Sequence, residues 1–315
     1  MLRHDVLDPN ESWSENPVRN LGDDGQQGLA DCGRTGLARA ETAAAPAQVG
    51  GVKISVVTAV FNRDRTIGEA IDSLASQTYQ AAEHIIIDGA SRDNTLAEIE
   101  RHRHPALRVF SERDGGIYDA LNKGMRRATG DVIGLLHSDD LLAHNEVLDR
   151  VATAFRDPDV QATYGDLDYV SAADPLRVIR HWRAGVFRRD KLRLGWMPPH
   201  PTIFLRRSVL ERFGTYDTTY RVAADYEAIL RWFGRGRIRA AYIPEVLVKM
   251  RVGGESNGSL RHILRKSRED YRALRSHGMS ATSALLIKNL SKLPQFAPGE
   301  SCQNVWTRDK INQTL

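Results

Sequence analysis

Residues 132–142 read VIGLLHSDDLL. Five apolar or small residues open the stretch, the adjacent acids Asp139 and Asp140 follow His137 and Ser138, and apolar residues then resume. The opening run is short and apolar enough for a strand buried on both faces. Neighbouring carboxylates repel, and an apolar setting raises the cost of ionising them. A strand that ends in such a pair implies that something beyond the strand meets the charge.

The same layout repeats upstream. KISVVTAVF (53–61) reads as a buried strand, and Thr66-Ile67-Gly68-Glu69 as a capping box opening a helix with Ile67, Ala70, Ile71 and Leu74 at helical spacing. HIIIDG (84–89) is a second strand, SRDNTLAEIERH a polar-capped helix, and LRVFSE (107–112) a third strand. IYDALNKGMRRATG (117–130) reads as a helix closed by a left-handed Gly130. After the fourth strand (132–136), NEVLDRVATAF (145–155) is a helix and ATYGDLDYV (162–170) a fifth strand. Strand–helix alternation predicts an α/β fold: a mostly parallel sheet flanked by helices, with ligands beyond the carboxyl ends of the strands. Asp88, Asp114, Asp139 and Asp140 all fall at those ends. One acid after a strand is usually a turn or a cap; four on one rim point to a site.

Beyond residue 170 the pattern loosens. Arginines, Trp182, Trp196 and the prolines around His200 fill the next forty residues, and RVAADYEAILRWFG (221–234) reads as a helix. An extended segment then ends in a Gly-rich loop, and from about 260 the chain reads as helix and then basic tail. Residues 1–50 are Gly-, Ala- and Asp-rich without apolar periodicity and read as a flexible leader. The predicted organisation is a leader over 1–50, one α/β domain over 51–258 and a helical, basic extension over 259–315.

The bulk numbers narrow the class. The chain has 315 residues, 41% apolar and 27% charged, with a formal net charge of only +4. That excess does not by itself indicate nucleic acid. Cys32 and Cys302 both lie outside the patterned region, so neither a disulfide framework nor a cysteine metal cluster is implied, and a cytoplasmic protein is expected. No run approaches the roughly 18 apolar residues of a membrane span, and MLRHDVLDPNESW lacks the core of a secretory signal. ALLIKNLSKLPQF (284–296) mixes apolar residues with lysines, which fits peripheral contact with an anionic inner membrane face or a solvated helix.

Two chemistries fit the acid pair. It suits a divalent cation, since Mg2+ and Mn2+ take carboxylate oxygens together with substrate phosphates; it equally suits a helix N-cap before LLAHNEVL. There is no phosphate loop, no dinucleotide fingerprint, no H-E-x-x-H and no G-x-S-x-G.

Four ordered motifs carry a resemblance: ISVVTAVFNR, IIIDGASRDNT, SERDGGIYDALNKGMRRATGDVIGLLHSDD, and HPTIFLRR followed by FGTYDTTYRVAADYEAILRW. Over roughly 53–257 the sequence resembles family 2 glycosyltransferases of the GT-A fold, in the bacterial branch that builds exopolysaccharide or O-antigen. The resemblance implies a nucleotide-sugar donor, UDP-linked by expectation, a saccharide or lipid-linked acceptor, Mg2+ or Mn2+, and inversion at the anomeric carbon. It implies that Thr58 and Phe61 line the base pocket, that Asp88 accepts from the base, and that Asp114 lies near the donor. Asp139 would hold the ribose or sugar, and Asp140 the metal. The family's D-x-D has Ser138 in its first slot by this alignment, which leaves one protein carboxylate for the cation. Asp225 would be the base that takes the acceptor's proton; Glu227, two residues along a helix, points elsewhere. His200, Trp196 and Arg251 with the Gly253-Gly254 loop are weaker candidates for the acceptor or the diphosphate. A nucleotidyltransferase making nucleotide sugars shares a related sheet, but TAVFNRDRT lacks its Gly-rich segment. A non-catalytic nucleotide-sugar binding protein would not need Asp225.

Overall fold

The computed structural model describes residues 51–193, 195–252 and 260–279. The leader, Cys32 and Cys302, the Gly253-Gly254 loop and the 284–296 segment lie outside the described residues.

Strand β1 (Ile54–Val60) is buried along its whole length, as a β-branched run demands. It pairs in parallel with β2 (Ala82–Asp88) on one side and β4 (Val132–Leu135) on the other, and β2 pairs in parallel with β3 (Leu107–Ser111). Helices α1 (Ile67–Ala75), α2 (Thr95–Arg101) and α3 (Ile117–Arg127) provide the crossovers. The rest of the sheet is mixed. After β5 (Leu141–Leu142), α4 (Val147–Ala154) and β6 (Ala162–Val170), the chain adds β7 (Val178–Trp182), α5 (Arg189–Leu192), β8 (Phe204–Arg206) and α6 (Arg207–Phe213). The strand order is β3-β2-β1-β4-β8-β6-β9-β5, where β9 is Ala240–Arg251, with β7 on β6. Antiparallel β8 separates β4 from β6, so the predicted fifth strand is not a neighbour of the fourth.

Close approach fixes the α3 layer. A Cβ on Gly124 would meet Val57 Cγ1 at 2.2 Å, so glycine lets the helix lie directly on β1. Gly130, expected to cap α3 in a left-handed conformation, is not among the positive-φ residues. Helix α3 ends earlier, at Arg127, and Ala128 turns into extended backbone. Gly130 is needed instead because a Cβ there would come within 2.7 Å of the Lys53 carbonyl and the Ser55 hydroxyl. The capping box at Thr66 is also absent: Thr66 precedes α1, but its hydroxyl caps nothing and is buried without a partner.

The predicted helix at 221–234 is α7 (Ala224–Ile229) followed by a widened π turn at Leu230–Arg235. Arg231 sits in that turn and donates to the carbonyls of Gly214 and Thr215 at 2.9 and 2.7 Å and to both oxygens of Glu227. The C-terminal helix α8 (Leu260–Ser276) buries Ala273 and Leu274 in the same apolar cluster as Tyr226, Ile229 and Phe233. Its described part packs against α7 through these residues.

Candidate active site

The first half of the rim gathers the ends of β1, β2 and β3. Phe61 is exposed just past β1. Gly89 follows β2, and a Cβ there would lie 2.6 Å from Asp114 Oδ2 and 3.4 Å from the Phe61 ring, so Phe61 and Asp114 converge over a residue that must be small. Asp114 is half-buried, and its Oδ1 accepts from Gly116 N–H at 2.9 Å. Asn62 and Ala90 take positive φ of 51° and 62°. Such backbone is unusual outside glycine and concentrates at sites. The two loops are stitched together: Asn62 N–H donates to Ser91 Oγ, and Arg92 N–H donates to Asn62 Oδ1, each at 2.9 Å.

Two expectations change here. Thr58 does not line the rim: it is fully buried, and its hydroxyl is 2.9 Å from His84 Nε2, inside the sheet layer. Asp88 is also fully buried and accepts from Ser91 N–H and, at 2.6 Å, from Ser111 Oγ. The groups that reach the surface are Phe61 and Asp114.

The second half is the tip of β4, where the two acids point to different neighbours. Asp140 is only 2% exposed; its Oδ1 accepts from Arg251 N–H at 3.3 Å and its Oδ2 is buried without a hydrogen-bond partner. Burial, and then the charge of Asp139, pushes its pKa well above the usual carboxylate range. Asp139 is half-buried, and its charge acts on His137. Arg251 is 5% exposed and clamps this turn: it donates to the Asp139 carbonyl at 2.9 Å and to Glu69 Oε2 at 2.5 Å. Arg251 is therefore spent inside the protein, anchoring the acid pair to α1, and is not free to fold over a diphosphate.

Asp225 arrives from α7. Its Oδ1 accepts from Tyr226 N–H at 2.8 Å and lies 3.3 Å from the Tyr118 hydroxyl, whose one proton is shared between Oδ1 and the nearer Val222 carbonyl at 2.9 Å. Among the described residues no protein hydrogen bond is made to Oδ2. A ring pair stands next to the acid turn: His137, half-buried, and His200, buried, are 5.9 Å apart between centroids, and His200 Nε2 is 2.7 Å from the Tyr216 hydroxyl. Burial holds His137 below the ordinary histidine range, while the charges of Asp139 and Asp225 both pull it up. His200 is held at about 4 by burial, against the pull of Asp225 and with a further push from His137. Both imidazoles are thus held below their ordinary range while the charge of Asp225 acts on each.

His200, expected to face the acceptor or the diphosphate, is buried and packs between His137 and Tyr216. Trp196 packs against Tyr164 and Phe187 at 6.3 and 5.9 Å between centroids, under Lys191, and has core neighbours rather than rim neighbours. Trp182 stacks on Tyr169. His137, Tyr118 and Tyr216 were missed from sequence. For His137 a signal existed, a histidine two residues before the acids at the same strand end; Tyr118 and Tyr216 carry none, because only the fold brings them to Asp225. Among the described residues, no group of three or more His, Cys, Asp and Glu side chains is placed to hold a metal alone.

The profile of glycosyl transferase family 2 matches residues 55–214, just over half of the chain. A PGL/p-HBAD biosynthesis glycosyltransferase of Mycobacterium tuberculosis is 30% identical over 209 residues, covering 64% of this chain and 78% of that protein. An uncharacterized glycosyltransferase of Nostoc is 27% identical over 217 residues, covering 65% of this chain and 66% of the other. Among solved structures, S. aureus TarS superposes with a TM-score of 0.54 at 17% identity, covering 78% of this chain and 44% of TarS. The mannosyltransferase PcManGT from Pyrobaculum calidifontis, in complex with GDP-Man and Mn2+, superposes with a TM-score of 0.52 at 22% identity, covering 79% and 76%. These two likenesses establish the GT-A-like α/β fold. The profile match and the mycobacterial relative go further: the chain belongs to glycosyl transferase family 2 and is an enzyme that transfers glycosyl groups.

Proposed function

We propose that the enzyme moves a sugar, with inversion, from a nucleoside diphosphate donor to a saccharide or lipid-linked saccharide acceptor. The observation that carries this reading is the chain of contacts Asp225–Tyr118–Tyr216–His200–His137, which leads from α7 to the tip of β4 although the two are far apart in sequence, and the charges of Asp139 and Asp225 both act on His137. One acid serves the donor side and the other the acceptor side. Asp225 Oδ1 is anchored by Tyr226 N–H, which leaves Oδ2 to take the acceptor's proton as its oxygen attacks the anomeric carbon. Attack opposite the leaving diphosphate inverts that centre.

On the donor side, Phe61 and Asp114 flank the base, and Asp88 supports the loop beneath. The residues fit a cation in one way. Asp140 was the expected ligand, but it is buried under the Arg251 backbone. Asp139 is the half-exposed acid of the pair, so Asp139 is assigned the Mg2+ or Mn2+, with the donor's phosphates and water completing the shell. When bound, the ion would offset charge on the leaving diphosphate. Asp140 then positions Arg251.

The comparisons support the donor class. PcManGT was solved with GDP-Man and Mn2+, and TarS with UDP-GlcNAc. The mycobacterial relatives are named for PGL/p-HBAD biosynthesis and not for exopolysaccharide or O-antigen, so the acceptor is proposed only as a saccharide or lipid-linked saccharide. No described helix is long and apolar enough to cross a membrane. The cytoplasmic location rests on cysteine usage, and contact with the inner membrane face on the basic tail that includes 284–296.

The test is a screen of UDP- and GDP-sugars, with and without Mn2+, for thermal stabilisation and for release of nucleoside diphosphate. One nucleotide sugar should stabilise the chain and be turned over, and Asp139→Asn should lose the Mn2+-dependent part of both. Failure of every nucleotide sugar to bind, or an unaltered Asp139→Asn, would refute this reading.

A further inference from the structure

A cleft of about 240 Å³ opens beside the Asp225 helix, between the start of α3, the segment 218–222 and Arg265 of α8. Tyr118 lines it, and the same side chain touches Asp225. We propose that this cleft is an acceptor subsite for a phosphorylated saccharide, held through its phosphate by Arg221 and Arg265. The proposal rests on the reading of Asp225 as the base.

The wall of the cleft is built in advance. Glu269 of α8 reaches the segment ahead of α7 and accepts from three consecutive backbone N–H groups: Arg221 at 3.2 Å, Val222 at 2.8 Å and Ala223 at 3.0 Å. One turn along α8, Arg272 donates to Thr219 Oγ1 at 2.8 Å, and its guanidinium lies 3.6 Å from the centre of the Tyr220 ring. Helix α8 thus pins residues 219–223, so little ordering is left for a ligand to impose.

The arginines of the described residues are unevenly committed. Arg206, Arg207, Arg231 and Arg251 each donate to several carbonyls or carboxylates. Arg221 and Arg265 are exposed and have no ion pair or guanidinium hydrogen bond among the described residues, yet they come to one cavity from two different elements. The nearby acids are engaged elsewhere. Asp119 accepts from Gly115 N–H at 3.0 Å and pairs with Lys123 at 3.3 Å, and Glu269 is occupied by the backbone. Two free guanidinium forks facing one hollow match a phosphate better than a neutral hydroxyl. A sugar held there by its phosphate lies next to Tyr118, with a hydroxyl available to Asp225.

The test is calorimetric titration of the full chain with its donor site saturated by UDP or GDP, whichever stabilises it, plus Mn2+. The probes are glucose 1-phosphate and glucose. Glucose 1-phosphate should bind at least tenfold more tightly, and Arg221→Ala/Arg265→Ala should abolish that preference while changing nucleotide affinity less than twofold. Both residues are exposed, so the double variant should fold; circular dichroism checks this. Equal affinity for the two sugars in the parent chain, a preference that survives the double variant, or a parallel loss of nucleotide affinity would each overturn the proposal. A polyprenyl-phosphate sugar in detergent, run as a second arm, identifies the source: greater sensitivity of that form to the variant assigns the phosphate to a lipid carrier, and greater sensitivity of the soluble form to a free sugar phosphate. Asp225→Asn should retain the binding preference, so a failed subsite and a failed base assignment give different results.

Discussion

Tyr118 and Asp225 are 107 residues apart in sequence, and the tyrosine hydroxyl lies 3.3 Å from the carboxylate Oδ1. The contact joins the start of α3, in the parallel half of the sheet, to α7, which lies between β8 and β9 of the mixed half. Tyr118→Phe removes that hydroxyl and its bond to the Val222 carbonyl. One hydrogen bond contributes about 1 kcal/mol, roughly fivefold in rate. Turnover should fall by about that factor at constant donor KM; steady-state kinetics at varied donor concentration check it.

Gly89 tests the donor rim without touching its chemistry. A Cβ at 89 would press on Asp114 Oδ2, the free end of a side chain that can swing away. Gly89→Ala should therefore leave the thermal midpoint within a few degrees and weaken nucleotide binding severalfold. Thermal stabilisation by added UDP or GDP reads both quantities in one experiment.

Arg251 is a structural clamp. Its removal frees β9 from the acid turn and from Glu69, which is itself half exposed. Breaking a fully buried pair costs about 3–5 kcal/mol, so a loss of about 2–3 kcal/mol is expected of Arg251→Ala, with its half-solvated partner. A urea unfolding midpoint measures the loss. Arg251→Lys should recover only part of it, because one ammonium cannot span Glu69 and the Asp139 carbonyl in fork geometry.

Stability should fall toward acid for identifiable reasons. Glu83 is buried, which works against ionisation, yet hydrogen bonds from Ser55 and Thr129 hold it at about 2, below the ordinary 4.5. Glu227 is held at about 2 against its own burial by His277 and Arg231. His84 is pushed down from 6.5 to about 3 by burial and then by His104. In each case the unfolded chain binds the proton first, so stability decreases as pH drops through 6.5 for His84 and through 4.5 for the two glutamates. Glu83→Gln should lower stability at pH 7 by something of order 3 kcal/mol and flatten the slope between pH 4.5 and 2. Urea midpoints across that range check it.

Much of the parallel half was legible because its signals are local. The β-branched runs at 53–61 and 84–89 fill strands buried on both faces, and acids follow the second, third and fourth strands at the rim. The mixed half was not legible for the opposite reason. Strand β8 has only three residues, Phe204–Arg206, too few for any period to register, yet it decides that β4 and β6 do not touch. Thr66 and Gly130 failed as caps because tertiary neighbours, not the helix ends, set their surroundings. Thr58 and Arg251 had the right residue types for a ligand site, but burial gave one to His84 and the other to Glu69. Asp225 is singled out by resemblance alone; the tyrosines and histidines linked to it come from four separate segments, and no spacing connects them.

The most direct measurement is Asp225→Asn, scored for released nucleoside diphosphate and, separately, for nucleotide-sugar affinity by calorimetry. Loss of a general base lowers turnover by roughly 10²- to 10⁴-fold. Turnover should fall by at least a hundredfold while donor affinity stays within twofold of the parent chain. Near-normal turnover, or a loss of donor affinity that accounts for the loss of rate, would contradict the assignment of Asp225 to the acceptor's proton.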